Sequence, residues 1–149
     1  MSTLAAVGPG DIPVLAALHA ESFPDEPWGE AAIAEILAMP GAFGFLADAD
    51  AGAPAGFLLA LDLGAECEVL ALGVRPALRR RGLGRQLVAQ VLAVAAGRAV
   101  HLEVAEDNAA ALPLYLSAGF RVVGRRADYY RRRDGAAAAA VLLRHGAPA

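Results

Sequence analysis

The segment Glu68-Val69-Leu70-Ala71-Leu72-Gly73-Val74 is nearly continuous apolar sequence, and it limits the available folds more than any other stretch. A strand of this kind is covered on both faces, so it belongs in the interior of a sheet. Gly73 within it indicates a bulge or a close backbone approach. Arg75-Pro76 ends the run. From Gly84 an amphipathic helix follows, with Leu87, Val88, Val91, Leu92 and Ala95 facing the core and Arg85, Gln86 and Gln90 facing away. Gly97 is placed to close that helix. Val100–Ala105 then alternates, with Val100, Leu102 and Val104 on one face and His101, Glu103 and Ala105 on the other.

The remaining elements are shorter. Leu4–Val7 reads as a first strand, and Asp11 is placed to cap a helix carrying Ile12, Leu15 and Leu18, with Pro13 tolerated in its first turn. Ser22–Trp28 is a proline-punctuated loop before a second helix from Glu30 to Leu37. Phe43–Ala47 and Gly56–Leu61 flank a turn-rich segment and make a hairpin. Asn108 caps a helix that reaches Ala118 and is closed by Gly119. Pro113 removes one backbone hydrogen bond from it, and a position past the fourth helical residue would kink the helix and displace Tyr115. Phe120–Gly124 and Val141–Leu143 complete the strands. The run Ala136–Ala140 favours helix by propensity, so the strand there rests on the order of elements alone. A chain of 149 residues with 57% hydrophobic side chains suits one packed domain, here residues 1–149, of α+β class with a mixed sheet.

Charge divides this chain in two. Residues 1–74 carry eleven carboxylates and no lysine or arginine, whereas residues 75–149 carry all thirteen arginines against five carboxylates, for a net charge of −3. Such asymmetry suggests two surfaces with different ligands. Coding bias accounts for arginine replacing lysine, but not for its confinement to one half. Without lysine there is no P-loop and no pyridoxal Schiff base. Cys67 is the single cysteine, which excludes a disulfide framework and cysteine-based zinc clusters. His19, His101 and His145 lack metal-ligand spacing, so no metal site is expected. With no secretory pattern and no long apolar run, a cytoplasmic protein off the membrane is expected.

Arg79-Arg80-Arg81-Gly82-Leu83-Gly84 lies between the buried strand and a helix N-terminus. Glycines let backbone N–H groups approach a ligand, the first helical turn offers unpaired donors, and arginines add charge-assisted bonds to phosphate oxygens. It is not a dinucleotide-binding fingerprint, because the third glycine would fall at Leu87. A purely structural turn would read the same way.

Arg79-x-x-Gly82-x-Gly84 after an apolar strand resembles the acetyl-CoA pyrophosphate loop of the GCN5-related N-acetyltransferases (GNAT). The likeness continues through Leu102-Glu103-Val104, Asn108, Tyr115 and Gly119-Phe120. Together with Pro27-Trp28, Tyr129-Tyr130 and Asp134-Gly135, the order is similar to the RimI group, whose members acetylate the N-terminal alanine of ribosomal protein S18. The resemblance implies the acyl-CoA N-acyltransferase fold, a single mixed, mostly antiparallel sheet of about six to seven strands flanked by about four helices. It further implies that acetyl-CoA inserts between two splayed strands. Leu72 and Val74 would bond it through their backbones, Arg79, Arg80, Arg81, Gly82, Leu83, Gly84 and Arg85 would hold the pyrophosphate, and Asn108 would meet the pantetheine. By the same resemblance Glu103 is the base, Tyr115 the acid, and Trp28, Tyr129 and Tyr130 border the acceptor peptide, with Tyr129-Tyr130 in a loop between the last two strands. The group's acidic residue before the last strand is replaced by Ala138.

Chemistry supports the pair independently. An α-amino group, with a pKa near 8, is mostly protonated at neutral pH and must lose a proton before attacking a thioester. A carboxylate can take that proton, and a phenol can protonate the departing thiolate. This requires Glu103 and the Tyr115 hydroxyl to flank one cleft beside the Gly82–Gly84 turn; opposite sides of the sheet would defeat it. A solvated strand glutamate, a packed tyrosine, a packed Trp28 and core-covering rings at Tyr129-Tyr130 are the plainer alternatives. Arg131–Arg133 suits a solvated hairpin tip, a CoA phosphate contact or an RNA contact, and the negative net charge argues against nucleic acid. Three functions remain in view: acetylation of a protein N-terminus such as that of S18, acetylation of a small amine or antibiotic, and a catalytically silent acyl-CoA-binding module.

Overall fold

The computed structural model describes residues 3–49, 52–131 and 134–146. They form one seven-stranded sheet in the order β1-β2-β3-β4-β5-β7-β6. The strands are β1 (Thr3–Ala6), β2 (Ala42–Asp48), β3 (Pro54–Asp62), β4 (Glu66–Val74), β5 (Ala99–Ala105), β6 (Arg121–Arg131) and β7 (Ala137–His145). Four helices accompany them: α1 (Ile12–Ser22), α2 (Glu30–Leu37), α3 (Leu83–Ala95) and α4 (Ala111–Ser117). This is the mixed, mostly antiparallel sheet expected from the sequence. No helix among the described residues is long and apolar enough to cross a membrane.

Two apolar layers sandwich the sheet. Leu83, Leu87, Val88, Val91 and Ala95 of α3 cover Leu72, Val74, Val100, Leu102 and Val104 on one face. Leu15, Leu18 and Ile33 from α1 and α2 cover Phe57, Leu59 and Ala71 on the other. Continuous apolar sequence in β3 and β4 follows from this double cover. Between Leu59/Ala71 and Ala60/Val69 the register of β3 against β4 slips, leaving Leu70 as an extra residue. The bulge therefore sits at Leu70 rather than Gly73. Gly73 is instead the close approach: a Cβ there would run into Ser22 Oγ and come within 2.9 Å of Phe57 Cε1.

Several local expectations are corrected or decided. Asp11 occupies the N-cap of α1, but its carboxylate turns back to accept from the Gly8 amide at 2.8 Å rather than from the helix. Pro113 is the third residue of α4, inside the first turn, where its missing N–H is tolerated. The alanines from Ala137 to Ala140 are strand, as the order of elements requires, because pairing with β6 at Ala137, Ala138 and Ala140, joined by β5 at Ala140, overrides helix propensity. Tyr129 and Tyr130 lie within β6, not in a loop, because β6 runs on to Arg131. Arg132 and Arg133 lie outside the described residues.

Candidate active site

β4 and β5 are the one parallel pair in the sheet, and their pairing is brief. Glu66, Cys67 and Glu68 face Ala99, Val100 and His101 in register, after which the strands part. Val69–Val74 and Leu102–Ala105 then border an open seam. The direction of the exposed peptide groups follows from the other side of β4. Arg75 N donates to Ala55 O at 2.8 Å, and bonding residues alternate along an antiparallel ladder. Ala71 and Gly73 therefore turn their peptide groups toward β3, and Leu72 and Val74 turn theirs into the seam. The Val74 carbonyl shows the same direction, since Arg79 Nε reaches it at 3.0 Å.

At the mouth of the seam the chain turns into α3. Arg80 has φ of 66° and Gly82, the N-cap of α3, has φ of 82°. Left-handed residues at this spacing gather successive N–H groups into an anion-binding concavity. No side chain caps the helix, and the amides of Leu83, Gly84 and Arg85 precede the first intrahelical bonds, the first of these near the cap being Gln86 N to Gly82 O at 3.0 Å. Arg79, Arg80, Arg81 and Arg85 are exposed around this turn, while Leu83 anchors it in the core. Gly84 lies against α4: a Cβ there would stand 2.9 Å from Leu114 Cδ2.

Asn108 fixes the start of α4. Its Oδ1 accepts from the Ala111 amide at 3.0 Å, and its carbonyl accepts from Leu112 N at 3.2 Å. The next turn buries Tyr115 (4% exposed) edge-on to Phe120, with ring centroids 5.4 Å apart. Burial pushes the Tyr115 hydroxyl well above the usual phenol range.

Glu103 occupies the other face of the sheet. Leu102 and Val104 join Tyr115 in the layer under α3, and alternation sends Glu103 the opposite way. The single-sided cleft expected from the sequence is therefore not what the chain builds. Glu103 and Tyr115 stand on opposite faces, and it is the parting of β4 and β5 that leaves a passage between those faces. One Glu103 oxygen, Oε1, pairs with Arg126 Nη2 at 3.1 Å. The Arg126 guanidinium carbon also sits 5.4 Å from the centroid of the Tyr129 ring, which stands edge-on to Tyr130. Sequence reading missed Arg126, because its facing depends on two irregularities in β6 that no pattern announces.

Trp28 lies in the α1–α2 loop on the Glu103 side. Its ring stacks on His19 at 4.4 Å, and its amide donates to His19 Nδ1 at 3.0 Å. The packed reading of Trp28 thus describes its inner face, and the residue remains partly exposed.

A central strand pair that parts beside a glycine-rich helix N-terminus defines an acyl-CoA N-acyltransferase architecture. The chain belongs to the acetyltransferase (GNAT) family, whose model matches residues 12–120, and it is an N-acetyltransferase. It is 40% identical over 134 residues to the N-alpha-acetyltransferase RimI of Mycobacterium tuberculosis (strain ATCC 25618 / H37Rv), covering 87% of this chain and 84% of that one. The crystal structure of the ribosomal-protein-S18-alanine N-acetyltransferase from Escherichia coli superposes with a TM-score of 0.88 at 25% identity, over 100% of this chain and 97% of that one. The fold is shared with Arabidopsis thaliana NAA60, solved in complex with acetyl-CoA, at a TM-score of 0.83 and 21% identity over 97% of this chain and 98% of that one.

Proposed function

We propose that the protein transfers the acetyl group of acetyl-CoA to the α-amino group of an N-terminal alanine, that of ribosomal protein S18 or a similar protein N-terminus. The seam between β4 and β5 carries this reading, because it supplies an unpaired strand edge that leads to an anion-binding turn. The residues fit the co-substrate on that ground. Pyrophosphate suits the open amides of residues 82–85 and the arginines around them. An extended amide-bearing arm suits the peptide groups of Leu72 and Val74, with Asn108 beside it. Acetyl-CoA supplies an activated thioester carbonyl.

Glu103 takes the ammonium proton, directly or through a water, so that the free amine can attack from the acceptor face. A nitrogen–carbon bond forms as the carbon–sulfur bond breaks, and the second surplus proton on nitrogen passes to solvent. Tyr115, protonated at neutral pH as any phenol is, donates its proton to the sulfur from the α3 face and recovers one from solvent. The single-cleft condition set by the sequence fails here, and the roles rest instead on the β4–β5 seam, across which the base would meet the entering amine and the acid the departing thiol. Trp28, Tyr129 and Tyr130 border the acceptor on the Glu103 side. A ribosomal protein acceptor places the enzyme in the cytoplasm.

The test is thiol release from acetyl-CoA with a basic peptide that begins with alanine. Turnover is expected, with loss of kcat in Glu103→Gln and Tyr115→Phe and unchanged acetyl-CoA affinity. No release with the peptide, but turnover of a small amine, defeats the acceptor assignment. Full activity in both variants defeats the roles of Glu103 and Tyr115.

A further inference from the structure

We infer that Arg126 is a positioning residue that holds Glu103 and Tyr129 together as one wall of the acceptor site. The inference rests on Glu103 being the base. Arg126 faces Ala140 on β7, and Ala140 in turn faces Ala105 on β5. Glu103 lies two residues before Ala105, so the arginine reaches it on the diagonal across β7. Ala140 is fully buried, and a methyl group there leaves room for a guanidinium to pass over the strand. This gives a physical use to part of the alanine run, which composition alone marks only as a helix former.

The other contact comes from the backbone. Between Arg126 and Tyr130, β6 advances four residues while β7 advances two, from Ala140 to Ala138. Asp128 within this bulge has φ of 54°, a conformation that side-chain-bearing residues seldom adopt. Bulges re-aim side chains, and this one accompanies the Tyr129 ring's placement over the guanidinium that grips Glu103. The shortest contact of the pair is to Oε1 of Glu103, which fixes the carboxylate on the side of the Tyr129 ring.

Stability is not the reason for the contact. Arg126 is 54% exposed and Glu103 30% exposed, and ion pairs so accessible to water add little to folding. Placement of a base, by contrast, governs rate steeply.

A double-mutant kinetic cycle tests the inference with acetyl-CoA and the alanine peptide. Arg126→Ala should lower kcat about ten- to a hundredfold, with the acetyl-CoA KM unchanged. Arg126→Lys should recover part of the loss. In a Glu103→Gln background, Arg126→Ala should cost less than about twofold more, because its effect runs through the carboxylate. Effects that multiply, or an Arg126→Ala enzyme as fast as the parent or faster, overturn the inference while Glu103→Gln remains impaired. A Glu103→Gln enzyme with full kcat instead overturns the reading of Glu103 as base.

Discussion

The guanidinium of Arg79 donates from Nε to the carbonyl oxygen of Val74 at 3.0 Å, folding the turn before α3 back onto the open edge of β4. The first arginine of the proposed phosphate turn thus occupies one of the peptide groups that face the seam. It couples the position of the turn to the strand beside which the co-substrate arm would lie. While this bond is made, the Val74 carbonyl keeps one lone pair, beside its N–H, for a ligand.

Arg79→Ala removes that brace. The acetyl-CoA KM should rise about tenfold, the scale of a charge-assisted hydrogen bond, while kcat changes by less than about twofold. Titration calorimetry with CoA would show the same loss without any acceptor. An unchanged affinity would mean that the turn holds its shape without Arg79.

Two glycines separate tight packing from adaptable packing. An alanine Cβ at Gly73 would strike Ser22 and the rim of Phe57, a ring with no exposed surface, so the sheet and α1 must move apart. Gly73→Ala should cost about 1–3 kcal/mol by denaturant unfolding. At Gly84 the obstacle is Leu114 Cδ2, the free end of a partly buried side chain that can rotate away. Gly84→Ala should cost less than about 1 kcal/mol, a gap that the two melting curves would display.

Much of this architecture was readable because its signals are local. The apolar run at Glu68–Val74 and the alternation at Val100–Ala105 each report burial directly, and both strands appear where the patterns put them. Asn108 announces the turn into α4, and its side chain accepts from the first amide of the helix, although the N-cap position itself falls to Ala110. What local patterns do not carry is register between distant strands. The resemblance puts Tyr129 and Tyr130 in a loop between the last two strands, yet pairing with β7 continues to Arg131. Alternation gives Glu103 its face within its own strand, but the face of Tyr115 depends on how α4 docks. Arg126 could not be connected to Glu103 without knowing that β7 lies between β5 and β6.

His19 gives the acceptor-side loop a pH limit. Burial lowers it from 6.5 to about 4, and its unprotonated Nδ1 accepts the Trp28 amide. The unfolded chain takes up the proton first as pH falls, so stability is full above about pH 6.5 and declines through the window down to about pH 4. The loss should reach roughly 3 kcal/mol, and His19→Gln, which cannot titrate, should remove this step. Unfolding midpoints measured at pH 7 and pH 4.5 would test it; parallel pH profiles for parent and variant would place the acid sensitivity elsewhere.

The acidic half of the sequence resolves into two kinds of carboxylate. Glu21 is committed to Arg75 and Asp62 to Arg98, while Glu66 meets His101 and Arg144. Glu26, Glu30 and Glu35 remain exposed on and beside α2, the helix next to the loop that carries Trp28. Charges arranged in this way attract a basic peptide over distances that salt shortens to about 10 Å at 0.1 M. The KM of a basic alanine peptide should therefore rise at least about threefold between low and high ionic strength, whereas that of a neutral alanine peptide should stay nearly flat. Comparing the two peptides cancels any effect of salt on the arginine-lined turn, which both reactions share. Equal responses would make these glutamates ordinary solvated surface and leave acceptor choice to the groups that line the seam.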